Sequence, residues 1–249
     1  MAKQATAEKR QRRERGSINP DDIIKGAFEL AEDVGIDNLS MPLLGKHLGV
    51  GVTSIYWYFR KKDDLLNAMT DRALREYARF VTPYVEANDW RETLANHART
   101  MRQTFMGSPI LCDLILIRSA LSPRAAKLGV QEVENAVNSL VEAGLTPEQA
   151  FDTYSAMSLH VRGAVVLRRL REKNLAANEG PGDIDDSLSF DAESAPLLAA
   201  ITAQGHHLSG SDDRNFEYGL ECILEHAARL IEQNKAPSRK PSKTAGRKR

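Results

Sequence analysis

Residues 39–69 read LSMPLLGKHLGVGVTSIYWYFRKKDDLLNAM, and this segment is the most informative about the architecture of the N-terminal part of the chain. Ser40 is suited to cap a short amphipathic helix, and Gly49 is suited to end it. A second short helix is predicted to start near Val52 and to run to about Phe59. Two short helices around a glycine-containing turn are typical of a helix-turn-helix motif.

The second of these helices presents an unusual set of side chains to solvent. Ile55 and Phe59 are four residues apart and are predicted to face the core. This spacing leaves five side chains on or near the exposed side, namely Thr53, Ser54, Tyr56, Trp57 and Tyr58. Hydroxyl groups can bond to base edges, and aromatic rings can contact thymine methyl groups or sugars. The pattern therefore indicates a helix that probes the major groove of DNA.

The charges are unevenly distributed, although the net charge of the chain is zero. The first fifteen residues carry six basic and two acidic side chains, and the last fifteen carry seven basic and none acidic. These ends have net charges of +4 and +7, so the body of the chain carries −11. From residue 46 to residue 62 the charged side chains are all basic, namely Lys46, Arg60, Lys61 and Lys62. Such a local basic surface favours phosphate contact at one place rather than coating of DNA by the whole body.

The remaining apolar patterns predict an all-α protein. Asn19 and Gly35 are expected to bound the first helix, and Asp63 or Asp64 to cap the fourth. Later helices are predicted over residues 90–105, 123–143, 147 to about 172, 196–204 and 216–231, with a loop over 174–195.

Several function classes lack their characteristic motifs. No apolar run approaches the roughly 18 residues of a membrane span, so no membrane partner and a cytoplasmic location are expected. Cys112 and Cys222 are too few and too far apart to suggest a metal knuckle or a disulfide framework. Gly-rich phosphate loops, nucleophile elbows and HExxH motifs do not occur in the sequence. We therefore expect no enzyme activity, no cofactor and no metal site.

The stretch over residues 39–69 closely resembles the DNA-binding segment of the TetR/AcrR family of repressors. The residues that carry the resemblance are Ile55, Tyr56, Phe59, Lys62, Leu65 and Leu66. The resemblance implies a three-helix helix-turn-helix domain and a larger C-terminal helical domain. It also implies a homodimeric repressor that binds a palindromic operator and is released by a small-molecule effector.

The same resemblance implies which side chains contact DNA. The base- and backbone-contacting positions of the family match Val52, Thr53, Ser54, Tyr56, Trp57 and Tyr58. Lys62 matches a lysine that meets a phosphate, and Lys46 adds positive charge nearby. Pro42 stands where the tetracycline repressor has an arginine that reads a guanine. Because proline has no side-chain donor, we expect a different operator sequence.

A weaker resemblance to the core of the tetracycline repressor covers most of residues 84–234. It is carried by the segments 89–102, 134–163, 195–201 and 216–232. The positions that match the family's ligand pocket are His97, Met101, Val133, Ala136, Val137, Phe151, Tyr154 and Ser158. The set is largely apolar, so we expect a largely apolar effector. Each of these side chains, taken singly, is more often a part of the packed core than a ligand contact.

Two departures argue against tetracycline and Mg²⁺ as the ligand. The tetracycline repressor binds the drug-bound magnesium through a histidine, but the corresponding stretch in this chain, LCDLILIRSALSP over residues 111–123, contains none. Leu167 occupies the position of an acidic residue that supports the waters of the metal.

The domain organisation expected from these arguments has four parts. They are a disordered basic arm (1–15), a DNA-binding domain (16–66), a ligand-binding and dimerisation domain (67–234) and a disordered basic tail (235–249). The apolar stripe from Phe216 to Ile231 can pack against a symmetry mate or within one subunit. An architectural, non-specific DNA-binding protein that acts through its basic tails is the alternative function.

Overall fold

The computed structural model describes residues 18–80, 87–118, 123–177, 192–205 and 212–235. All regular elements within these ranges are helical, which confirms the predicted fold class. The basic arm, the basic tail after Lys235 and most of the predicted loop lie outside the described residues. Within the described part of the chain, no helix is both long enough and apolar enough to cross a membrane.

Ten α-helices follow one another along the described ranges. The first four are α1 (Pro20–Asn38), α2 (Met41–Leu48), α3 (Val52–Tyr56) and α4 (Lys62–Phe80). A 3₁₀ turn (Ala87–Asp89) leads into α5 (Trp90–Gly107), and α6 consists of Pro109–Leu111 and the π-helical segment Cys112–Ile117. The last four are α7 (Pro123–Glu142), α8 (Pro147–Ala177), α9 (Pro196–Thr202) and α10 (Asp213–Lys235).

The chain divides into two compact units. The first takes its described residues from the ranges 1–82, 101–130 and 165–180, and the second from 83–100, 131–164 and 181–249. Helices α5, α7 and α8 therefore contribute residues to both units. The boundary expected between residues 66 and 67 stays a prediction.

The first two helices begin at the caps that the sequence indicated, whereas α1 ends at Asn38 and not at Gly35. The Asn19 side chain accepts a hydrogen bond from the Asp22 N–H at 2.8 Å, and the Ser40 hydroxyl accepts one from the Leu43 N–H at 3.3 Å. Gly35 has a φ of 78° and interrupts the helical conformation of α1. Because a positive φ is costly for residues with a Cβ, glycine suits this break.

One hydrophobic core joins α1–α4 to α6 in the first unit. Ile23, Leu44, Ile55 and Leu65 are fully buried at its centre. Ile110 and Leu114 of α6 belong to the same cluster, although they follow α1 by many residues along the chain. The three-helix head is therefore completed by a segment that comes from much later in the sequence.

The end of α3 and the start of α4 also differ from the prediction. Helix α3 ends at Tyr56 rather than near Phe59, because the N–H groups of Tyr58 and Phe59 both donate to the Ile55 carbonyl, at 3.0 and 2.9 Å, and this tightens the chain into a turn. Helix α4 begins at Lys62, so that Asp63 and Asp64 lie in its first turn instead of capping it.

Helix α8 extends to Ala177, so residues 174–177 are helical rather than part of the predicted loop. Leucine and alanine follow Asn174, and both favour the helical conformation. Helix α6 had no counterpart in the predicted elements.

In the second unit, α10 is packed through apolar side chains and forms ion pairs with two arginines of α5. Phe216, Leu220 and Leu224 are buried within the single chain, which is one of the two alternatives that the sequence left open. Arg99 of α5 forms a two-pronged ion pair with Glu217, with N–O distances of 2.6 to 3.2 Å. Arg91 pairs with Glu221 and, at 2.6 Å, with Glu225.

Helices α8 and α10 approach each other closely at one glycine. The His160 ring stacks on Phe216 with ring centroids 5.0 Å apart, and its Nε2 lies 2.8 Å from the Phe216 carbonyl oxygen. A Cβ placed on Gly219 would overlap with this imidazole. The contact therefore requires a residue without a side chain on α10.

We expect Gly219→Ala to lower the free energy of unfolding by about 1–3 kcal/mol, because the added methyl group must displace the His160 ring. Urea unfolding of the purified variant measures this change. Gly129→Ala is the matched control, since nothing lies within 4 Å of a Cβ placed there. Alanine at this helical position should leave stability unchanged or raise it by up to about 1 kcal/mol. Equal unfolding curves for wild type and Gly219→Ala would contradict the close approach.

Candidate nucleic-acid interface

The turn between α2 and α3 is a compact reversal built on glycine. Gly49 has a φ of 68°, and its N–H donates to the Lys46 carbonyl at 3.3 Å. The Val50 N–H donates to the Gly45 carbonyl at 3.0 Å, which completes a Schellman motif. A Cβ on Gly45 would lie 3.2 Å from the Val50 carbonyl oxygen, so the turn also requires a small residue there. These contacts fix the direction in which α3 leaves α2.

Helix α3 is oriented by its buried side chains. Ile55 is fully buried and Phe59 is 8% exposed, as their spacing predicted. The prediction that aromatic side chains face solvent is also confirmed, because Trp57 is 84%, Tyr58 48% and Tyr56 42% exposed. Thr53 is exposed as well, whereas Val52 and Ser54 are half-buried. The five-residue helix and the turn that follows it thus offer a mixed aromatic and hydroxyl surface to solvent.

Tyr58 has a second contact that the sequence did not indicate. Its hydroxyl donates a hydrogen bond to the carbonyl oxygen of Ile18 at 3.1 Å. This hydrogen bond connects Ile18, two positions before α1, to the turn after α3. The ring of Tyr58, rather than its hydroxyl proton, is left for contacts outside the protein.

Basic side chains flank the exposed aromatic surface. Lys46 on α2 is exposed, and Arg60 and Lys61 are exposed in the turn before α4. Lys62 is half-buried, and its Nζ donates to the main-chain carbonyl of Asp37 at 3.0 Å. An ammonium group has three donors, so two N–H bonds of Lys62 stay available for an anion. Aromatic rings between cations are suited to a nucleic-acid groove and its phosphates.

An ion cluster surrounds the buried carboxylate of Asp113 in the first unit, and it was not among the features predicted from the sequence. Asp113 on α6 is buried and accepts two hydrogen bonds from Arg169 on α8, at 3.0 and 2.9 Å. Lys173 lies between Asp113 and Asp37, at 3.1 and 2.9 Å from their carboxylates. The one available signal was the isolated aspartate within the apolar run CDLILI, because a buried carboxylate requires cationic partners.

The candidate ligand-binding residues are only partly brought together. In the second unit, His97 and Tyr154 are buried and stack with ring centroids 6.1 Å apart. Burial lowers the pKa of His97 to about 4, so its ring is neutral at pH 7. Ala136 is buried, Val133, Val137 and Ser158 are half-buried, and Phe151 is 55% exposed. Met101 is buried and belongs to the first unit.

Two family profiles match the chain, one in each part. The profile described as "Bacterial regulatory proteins, tetR family" matches residues 23–69. The profile described as "Tetracyclin repressor-like, C-terminal domain" matches residues 82–227. The first match spans most of α1, all of α2 and α3, and the start of α4, and it includes the exposed aromatic side chains.

Curated relatives and a solved structure agree with these matches. The HTH-type transcriptional repressor Rv1353c of Mycobacterium tuberculosis is 65% identical, over 97% of this chain and 94% of that protein. The class A tetracycline repressor of Escherichia coli is 30% identical, over 90% of this chain and 97% of that protein. ActR of Streptomyces coelicolor, solved without ligand, has a TM-score of 0.64 at 26% identity, over 88% of this chain and 99% of that one.

ActR has also been solved in complex with actinorhodin, at a TM-score of 0.63. The relatives and the fold are those of transcriptional regulators, not of enzymes. The helix-turn-helix geometry and the matches over both parts of the chain lead to one conclusion: this protein belongs to the TetR family of bacterial regulatory proteins.

Proposed function

We propose that this protein is a repressor that binds a palindromic operator as a homodimer and leaves it when a small-molecule effector binds. The observation that carries the proposal is the exposed aromatic surface of α3 and the turn after it, with Trp57 84% exposed between flanking cations. Large aromatic side chains are seldom left in water on a small helix without a binding role. The 65% identity to a mycobacterial protein named as a repressor supports the direction of regulation.

The DNA contacts are assigned to the head, with residues 16–66 as the DNA-binding domain. Thr53 and Tyr56 reach base edges, and Trp57 packs on thymine methyl groups or sugars. Lys62, already oriented by the Asp37 carbonyl, donates to a phosphate. The full set is Lys46, Val52, Thr53, Ser54, Tyr56, Trp57, Tyr58 and Lys62. Pro42 is exposed on α2 and offers no donor, so that base position is read differently from the tetracycline repressor.

The dimer is assigned to the exposed faces of α8 and α10. Leu159 of α8 is 68% exposed and Tyr218 of α10 is 75% exposed, although these helices are packed together at His160. Ala156 and Gly163 lie three or four residues from Leu159 and are exposed as well, which allows a second helix to approach closely. Two heads related by a two-fold axis can read two half-sites of a palindrome.

The effector is assigned to residues 67–234, the proposed sensing and dimerisation domain. The stacked pair of His97 and Tyr154 offers aromatic surface with two polar groups, which suits a largely apolar molecule of aromatic character. That ActR is solved with actinorhodin supports a small-molecule effector. Leu167 is 61% exposed and has no donor atom for a metal.

An effector weakens operator binding to the extent that it prefers the conformation that does not bind DNA. We place this activity in the cytoplasm.

Selection of genomic DNA fragments in the presence of excess random DNA tests the proposed function. We expect recovery of one palindromic motif, and we expect Trp57→Ala to lose most of this preference. Because the side chain is 84% exposed, the variant should unfold at the same urea concentration as wild type. Val130→Ala, also at an exposed position outside the head, is the control and should bind normally.

The opposite outcome points to the architectural alternative. A protein that acts through its basic ends recovers no motif, and its binding decreases steeply as salt rises. In that case deletion of residues 236–249 would reduce the salt dependence, and Trp57→Ala would have no effect.

We expect Leu159→Glu to convert the dimer to a monomer, because the substitution places two carboxylates in the proposed apolar interface. Light scattering after size-exclusion chromatography measures the mass, and the dimer dissociation constant should rise by at least about a hundredfold. Val130→Glu introduces the same charge at a position 66% exposed on α7 and should leave the dimer intact. A dimer that persists in Leu159→Glu would place the interface elsewhere.

Stability should fall at acid pH because of His97. Burial lowers its pKa from 6.5 to about 4, so the unfolded chain binds a proton more readily than the folded one in this interval. The free energy of unfolding should therefore decrease as pH falls from 6.5 to about 4, with a contribution of about 3 kcal/mol from this group.

The difference between wild type and His97→Leu, measured by urea unfolding from pH 7 to pH 4, isolates that contribution from the titration of carboxylates. Identical pH dependence in the two proteins would show that the ring is not buried as described.

A further inference from the structure

Lys173 connects the ion cluster around Asp113 to the DNA-binding head. Asp113 has a side chain only 3% exposed, and Arg169 alone provides it with two hydrogen bonds. Lys173 also contacts Asp113, at 3.1 Å, but its shorter contact, at 2.9 Å, is with Asp37 at the end of α1. Removal of Lys173 would therefore leave Asp113 paired and Asp37 without its cation.

Asp37 is also the residue that orients the proposed phosphate-binding lysine. Its main-chain carbonyl accepts a hydrogen bond from Lys62 Nζ at 3.0 Å. Its carboxylate accepts one from Lys173 Nζ. The same residue thus connects a lysine of α8 to a lysine of α4.

The carboxylate of Asp37 is negatively charged and lies beside cationic side chains. The hydrogen bond from Lys173 lowers the pKa of Asp37, and the nearby charges of Lys173, Lys62 and Arg169 lower it further against the opposing effect of burial. Burial acts to lower the pKa of Lys173, but its hydrogen bonds with Asp37 and Asp113 outweigh this effect and raise it. Both partners are consequently charged at neutral pH.

We propose that Lys173 is a positioning residue for operator binding: it neutralises Asp37 and so leaves the ammonium group of Lys62 available to a DNA phosphate. When Lys173 is removed or withdrawn, the carboxylate of Asp37 competes with the phosphate for Lys62 and repels the DNA backbone. The inference rests on the proposed operator binding. It adds a residue of α8 to the groups that set DNA affinity, although α8 has no part in the predicted DNA contacts.

The electrostatic role predicts a rescue that a simple structural role does not. Lys173→Met removes the compensating cation, whereas Asp37→Asn removes the charge that needs compensation. In the double variant the hydrogen bond is lost but the carboxylate is lost too. If charge is what matters, the double variant binds DNA well, and if the contact itself matters, it binds as poorly as Lys173→Met.

The experiment measures the dissociation constant of the full-length protein for the fragment recovered by genomic selection, at low and at moderate salt. We expect Lys173→Met to weaken binding by about threefold to tenfold at low salt, with a smaller effect at higher salt because the charge is screened. Lys173→Met/Asp37→Asn should return to within about twofold of wild type. Asp37→Asn alone should bind at least as tightly as wild type, and Lys173→Arg should retain most of the affinity.

Arg168→Met is the matched control on the same helix. It breaks an exposed pair with Glu172, whose N–O distance is 3.1 Å, and it leaves Asp37 untouched. Its DNA affinity should equal that of wild type. Because the Asp37 side chain is 75% exposed, Asp37→Asn remains informative even if Lys173→Met does not fold.

Three results would overturn the inference. They are wild-type affinity in Lys173→Met, a double variant as weak as Lys173→Met, or an Asp37→Asn variant that binds more weakly than wild type. A wild-type protein that prefers no DNA sequence overturns the proposed function and this inference together. Sequence preference in wild type combined with any of the three results overturns this inference alone.

Discussion

The burial of Ile55 holds the DNA-binding head together. A helix of five residues is far too short to be stable by itself, so α3 exists because its inner side chains are packed on α1, α2 and α4. With Ile55 fully buried and Phe59 nearly so, the helix has one possible rotation about its axis. That rotation turns Tyr56 outward, and the tight turn after α3 leaves Trp57 in solvent beside it.

Segments distant in the sequence complete this head. Ile110 and Leu114 of α6 share its hydrophobic core, so a displacement of α6 cannot leave the packing of the head unchanged. The buried carboxylate of Asp113 lies on the same π-helical segment and is held by cations of α8. Apolar and ionic contacts at one place thus connect α6 and α8 to helices that carry the proposed DNA contacts. Regulation of DNA binding by an effector requires such connections, because binding of the effector must change the free energy of DNA binding.

Local features of the chain could be predicted from the sequence, and features that depend on distant pairs could not. The caps at Asn19 and Ser40, the turn at Gly49 and the exposure of Trp57 follow from rules that act over a few residues. Helix α6 was missed because the run CDLILI is too short and too uniformly apolar to show a helical period. The contact between Asp37 and Lys173 spans 136 residues, so no local pattern announces it.

The exposure of Trp57 has a consequence for how such regulators diverge. A side chain that is 84% exposed contributes little to the folded state, whereas its inner neighbour Ile55 contributes much. Substitutions at the outer positions of α3, where the proposed base contacts lie, can therefore change these contacts at almost no cost in folding. After a gene duplication, the two copies could acquire separate operators through a few such changes while both remain folded. The segment with the proposed base contacts is in this sense the part of the head that can change most readily in evolution.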